Sequence, residues 1–218
     1  MSTENSLVQS WQSVFEKMPL IAILRGIEPG ECMEIAAGIF DAGFEILEIP
    51  LNSPQPYESI SRLTRAFPEK LIGAGTVTTL DAVASCKTCN CKLVVTPNFN
   101  PKIAEAVKSD DMIFCPGVTT PSEAFMALNS GANALKLFPA EMISPKVVKA
   151  MRAVLPADTT LIPVGGIGPE NMQDYLEAGA NGFGIGSALY KPGKPLLEVR
   201  RSAEKFVLSL EKSRGREV

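Results

Sequence analysis

Lys136 is a lone cation inside an apolar run, NALKLFP (Asn133 to Pro139), bounded by Gly131 and Pro139. Such a run reads as a buried strand of a parallel sheet. Burial disfavours an ammonium ion and lowers the pKa of the amine. A neutral lysine in that setting can attack a ketone and form a Schiff base. The run belongs to an internal repeat: DAGFEILEI (Asp41–Ile49), NSGANALKL (Asn129–Leu137) and EAGANGFGI (Glu177–Ile185) align without gaps. Each has a glycine suited to the left-handed residue that ends a helix, at Gly43, Gly131 and Gly179. Counting from those glycines puts Glu48, Lys136 and Gly184 in one register. Side chains alternate along a strand, so equal register predicts equal facing. Glu48 and Lys136 are expected in one layer, with Gly184 leaving room beside them. A buried ion pair would account for the two charges, but such pairs are weak as stabilisers. A lysine that forms an imine beside a carboxylate that moves protons accounts for them as chemistry.

Three further groups have residue types suited to a substrate. Arg25 ends the first strand in IAILRGI, where a guanidinium is either a clamp for a planar carboxylate or an exposed charge at a junction. Thr76 ends GAGT (Gly73–Thr76) and is placed either to hydrogen-bond a substrate or to cap the following helix. VGGIGPEN (Val164–Asn171) and FGIGSALY (Phe183–Tyr190) each end a strand in glycines. Gly165 and Gly166 let the backbone approach an anion, and Pro169 suits the first turn of a helix whose N–H groups face it. Gly186 and Ser187 form the second such turn. Either motif alone is accounted for by a tight turn; together, at the ends of the last two strands, they point to phosphate.

The elements that must position these groups follow from hydrophobic spacing. Leu7, Val8, Trp11, Val14, Phe15 and Met18 recur at helical spacing before Pro19, predicting a helix over about 5–18. Strands are then predicted at 20–24, 44–49, 71–75, 92–96, 112–115, 132–137, 160–164 and 182–185, each followed by an amphipathic pattern. Eight β/α units with no linker between them predict a single (β/α)₈ TIM-type barrel domain over 1–218. Its limits would be about 19–212, with a short tail at 213–218. In such barrels the active site lies at the C-terminal ends of the strands, where Glu48 and Lys136 fall.

Composition narrows the chemistry. The chain has no histidine, which removes the commonest general acid/base and the commonest zinc ligand. A net charge of −3 opposes a nucleic-acid surface. The polar start and the lack of a long apolar run predict a cytoplasmic protein with reduced thiols and no membrane contact. Cys86, Cys89 and Cys91 cluster as C-x-x-C-x-C, but no fourth ligand has the spacing zinc needs. The basic ending from Arg214 to Arg216 reads as a solvated tail.

ILRGI, EIPLNSP, GAGTV, VTPN, CPG, ALKLFP, VGGI and GIGS occur in that order between about Pro19 and Pro192. In this the chain resembles the class I pyruvate aldolases that cleave 2-keto-3-deoxy-6-phospho sugar acids. The resemblance implies a barrel, a homotrimer, and no metal or organic cofactor. It implies Lys136 as the Schiff-base lysine and Glu48 as the proton shuttle. Arg25 and Thr76 would hold the carboxylate end; Gly165, Gly166, Gly186 and Ser187 would hold the phosphate. Arg25, Asn52 and Val164 match the phosphogalactonate branch, where the phosphogluconate branch has Arg and Thr at the last two. Val164 and Asn52 are therefore expected to bear on epimer selectivity. FPAE (Phe138–Glu141) looks instead like the phosphogluconate branch. The expected reaction is reversible cleavage of the phosphorylated sugar acid to pyruvate and D-glyceraldehyde 3-phosphate. Rivals are the gluconate or 4-hydroxy-2-oxoglutarate substrate, an isomerase or epimerase without a Schiff base, and a non-catalytic phosphosugar-binding barrel.

Overall fold

Alternation of apolar strands with amphipathic helices produces the layering that covers both faces of a parallel sheet. A computed structural model describes residues 6–215. Helix α1 (Ser6–Lys17) comes first; β1 (Leu20–Ile23), α2 (Cys32–Asp41), β2 (Ile46–Pro50), α3 (Pro56–Ala66) and β3 (Leu71–Gly75) follow. Then come α4 (Leu80–Thr88), β4 (Leu93–Val95), α5 (Pro101–Ser109), β5 (Ile113–Cys115) and β6 (Gly117–Val118). The chain continues through α6 (Pro121–Asn129), β7 (Leu135–Leu137), α7 (Pro145–Arg152), β8 (Leu161–Pro163), α8 (Met172–Glu177), β9 (Phe183–Ile185) and α9 (Leu196–Ser213). Residue 5 of the predicted first helix and residues 216–218 of the predicted tail lie outside the described residues; α9 takes in residue 213 of that tail.

All strand pairs are parallel. They form a six-stranded sheet, β5-β4-β3-β2-β1-β9, and a three-stranded sheet, β6-β7-β8. A single bridge, Val164 to Gly184, spans from the end of β8 to β9. The fold is thus α/β on a curled parallel sheet, in two arcs rather than eight uniformly paired strands. The fifth predicted strand, 112–115, is found as β5 and stops at Pro116, which has no N–H to give the ladder. Its carbonyl still accepts from Lys136 N at 2.9 Å, and pairing resumes at Gly117.

Side-chain alternation sorts the core into two groups. Ile21, Ile23, Ile46, Leu93, Cys115 and Ile162 share an inner cluster with Trp11 and Phe15 of α1. Ala22, Leu47, Ile72, Val94, Leu135 and Phe183 face the helices. Glu48 and Lys136 fall on the inner parity, as their register predicts. The three repeat glycines have positive φ, 110° at Gly43, 87° at Gly131 and 101° at Gly179.

Candidate active site

β2 and β7 carry the two charges inward. Glu48 is 1% exposed and Lys136 4% exposed. Burial pushes the Glu48 carboxyl up to about 7, against the opposing pull of Lys136 and Arg25. Burial also lowers the Lys136 amine, with Glu48 and Cys115 pulling the other way. No ion pair among the described residues joins the two. Glu48 Oε2 has no hydrogen-bond partner. A buried carboxylate left this way is costly as a structural device and useful as a proton carrier. Lys136 Nζ lies 4.7 Å from the centroid of the Phe138 ring, whose face favours a cation.

The room around Glu48 comes from Gly75, not from Gly184 as the sequence suggests. A Cβ on Gly75 would collide with the Glu48 carboxylate. A Cβ on Gly184 would meet Val164 Cγ2 at 2.7 Å and Ile23 Cδ1 at 3.2 Å. The reason is stagger between neighbouring strands. Glu48 pairs with Ile23, but Gly184 pairs with Ile21, two residues lower; Lys136 pairs with Ile162, while Gly184 bridges Val164. Equal distance from a cap glycine therefore gives equal facing without equal height.

Arg25 is exposed, and its Nη1 donates to Asn52 Oδ1 at 2.6 Å. Asn52, expected to read the epimer, thus holds the guanidinium. Thr76 has φ 58°, a left-handed conformation that a β-branched residue adopts only under strain. It does not cap α4: Thr79 does, accepting from Ala82 N at 3.2 Å.

A cavity of about 710 Å³ opens beside this layer, lined among others by Arg25, Phe138, Val164, Gly165, Gly166 and Ser187. Thr76 and Asn52 are not among its lining residues. Gly165 and Gly166 have φ 111° and 61°, conformations that favour glycine. The predicted helix after them begins later than expected. Pro169 precedes the N-cap Asn171, and α8 has six residues. Asn171 braces the turn instead: its Oδ1 accepts from Gly168 N at 3.1 Å and its Nδ2 donates to Gly166 O at 2.8 Å. Gly186 and Ser187 begin a tight turn, with Leu189 N donating to Gly186 O at 2.9 Å.

Gly75 beside Glu48, Asn171 bracing the glycine turn and Glu141, which lines the cavity, were not legible as site residues. For Gly75 the GAGT motif was a signal; for Asn171, its position five residues after a glycine pair. Elsewhere, all five cysteines are free and buried. No group of three metal-ligating side chains among the described residues could hold a metal ion.

The profile of a family described as KDPG and KHG aldolase matches residues 11–196. A 2-dehydro-3-deoxy-6-phosphogalactonate aldolase of Escherichia coli (strain K12) is 44% identical over 198 residues, covering 90% of this chain and 95% of that protein. A probable 2-dehydro-3-deoxy-6-phosphogalactonate aldolase of Rhizobium meliloti (strain 1021) is 43% identical, covering 85% and 88%. A solved structure described as native KDPGal superposes with a TM-score of 0.90 at 42% identity, covering 91% of this chain and 97% of that one.

Proposed function

Because the chain belongs to the KDPG and KHG aldolase family, we propose that it cleaves 2-dehydro-3-deoxy-6-phospho-D-galactonate reversibly to pyruvate and D-glyceraldehyde 3-phosphate. The observation that carries this reading is a buried lysine amine sharing the inner layer with a buried, unpartnered carboxylate. In this reading Lys136 attacks the C2 ketone, and the carbinolamine loses water to give a protonated imine. Glu48 takes the C4 hydroxyl proton as the C3–C4 bond breaks, and the imine accepts the electron pair as an enamine. Glyceraldehyde 3-phosphate departs. Glu48, now protonated, returns a proton to C3 of the enamine, and water releases pyruvate from Lys136. A carboxyl held near 7 can do both tasks in one cycle. No direct hydrogen bond joins Glu48 to Lys136, so a water or the substrate hydroxyl relays protons between them.

Arg25, steadied by Asn52, and Thr76 are assigned to the carboxylate end. Gly165, Gly166, Gly186 and Ser187 are assigned to the phosphate. The chain is read as one domain in which the two sheet arcs are a single eight-stranded barrel. Support comes from the continuation of β5 into β6 and from the Val164–Gly184 bridge. A homotrimer is assigned from the family resemblance; Phe125, Met126 and Met142 expose apolar surface that an assembly would cover. No helix among the described residues is long and apolar enough to cross a membrane. Five free thiols fit the reducing cytoplasm to which the chain is assigned.

Measuring kcat/KM for both C4 epimers tests the substrate. The wild type is expected to favour the galactonate epimer. Val164, 8% exposed, lines the cavity just before the glycine turn. Its methyls cannot hydrogen-bond a hydroxyl, whereas a threonine of nearly the same size can. One neutral hydrogen bond contributes roughly 0.5–1.5 kcal/mol, so Val164→Thr should move the ratio several-fold toward the gluconate epimer. A wild type that prefers the gluconate epimer overturns the substrate assignment; an unmoved ratio removes Val164 from epimer choice.

A further inference from the structure

The Glu141 side chain lies across the Gly165–Gly166 turn. A Cβ on Gly165 would strike its carboxylate, and one on Gly166 would sit 3.1 Å from its Cγ. The space left by the missing side chains is thus filled by a carboxylate of the same chain. Its base is fixed: Ala140 N donates to Val164 O at 2.9 Å and Ile143 N to Ala140 O at 3.0 Å. Its tip is exposed, and no hydrogen bond or ion pair holds it among the described residues. A long, untethered side chain of this kind swings at little cost.

We propose that Glu141 competes with the substrate's phosphate for the Gly165–Gly166 turn, covering the turn in the free protein and moving aside when a phosphate ester binds. The proposal rests on the phosphate assignment made above. A carboxylate and a phosphate dianion repel at contact distance, and solvent only partly screens them in a concave site. Arg25 and Lys191 line the same cavity and supply opposing positive charge. The competition acts unequally on different anions. The intact sugar acid is also held at its carboxylate and at Lys136, and these contacts help displace Glu141. Free phosphate has no such help and is discriminated against. After C–C cleavage, glyceraldehyde 3-phosphate is held chiefly by its phosphate, so the returning carboxylate favours its departure.

Inhibition constants for inorganic phosphate and for pyruvate, measured against cleavage by wild type, Glu141→Gln and Glu141→Ala, test this. Both variants are expected to bind phosphate about tenfold more tightly, because the repelling charge is gone. Pyruvate, which carries no phosphate, should bind all three proteins alike. A phosphate constant that is unchanged or weaker in the variants, while phosphate inhibits the wild type, overturns the proposal. Equal shifts for phosphate and pyruvate also overturn it, since they would mark a general change in the cavity. If phosphate inhibits none of the three proteins, the phosphate assignment itself falls, and the competition falls with it.

Discussion

Replacing Lys136 with methionine should abolish turnover, with a loss on the order of 10⁶-fold, the scale seen when a covalent nucleophile is removed. The protein should remain folded, because methionine fits the apolar strand and removes a buried charge. Incubation of the wild type with pyruvate followed by borohydride should add one reduced pyruvyl group to Lys136; the methionine variant should gain none. Lys92 is the instructive competitor, because burial lowers its amine too, against the pull of Glu69. Its Nζ, however, donates to the carbonyls of Pro68 and Lys70, at the strand ends remote from the cavity. Label on Lys92, or an undiminished rate in the methionine variant, would refute the Schiff-base assignment.

Glu48→Gln should lower kcat by about 10²–10⁴-fold, the usual range for a positioned acid/base, with a smaller change in KM. The pyruvyl adduct should still form, more slowly, because the amide keeps the shape of the carboxylate. The wild-type rate profile should show an acidic limb near pH 7, which the glutamine variant lacks. Stability gives an independent reading. The folded-state carboxyl sits near 7, above its ordinary value of 4.5. Its protonated form therefore favours the folded state at low pH, and that contribution is lost as pH rises through 7. The melting temperature of the variant relative to wild type should climb between about pH 4.5 and 7 and then level off. A kcat near that of wild type would make Glu48 a structural partner of Lys136; a flat stability difference would mean that the carboxyl is ionised throughout.

The common inward facing of Glu48 and Lys136 was legible because it depends only on parity, and strand parity is set locally by the chain. The repeat glycines fixed the origin for counting, and their positive φ bears out that use. What depends on relations between strands was hidden. The stagger that gives Gly184 to Val164, and Gly75 to Glu48, arises only when strands tilt and close against each other. The end of the fifth strand before Pro116 was legible, but pairing resumes at Gly117–Val118 only because β7 is there as a partner. Thr79 rather than Thr76 caps α4, a difference decided by backbone angles that the string THR-x-x-THR leaves open. Asn52 resembled a specificity residue because of what replaces it in related enzymes; its hydrogen bond to Arg25 gives it a direct physical task.

Helix α1 gives the fold a built-in optical probe. The chain has one tryptophan, Trp11, 3% exposed and stacked on Phe15 with ring centroids 4.9 Å apart. It packs with Ile21, Ile46 and Leu71 in the inner cluster, at the floor opposite the cavity mouth. Intrinsic fluorescence therefore watches the undocking of α1 and the wetting of the floor, while the proposed ligand site lies at the other end. Emission should stay nearly constant as substrate binds and shift to the red when denaturant frees the helix. Comparing that signal with residual activity along a denaturation curve would tell whether the two ends of the curled sheet come apart together.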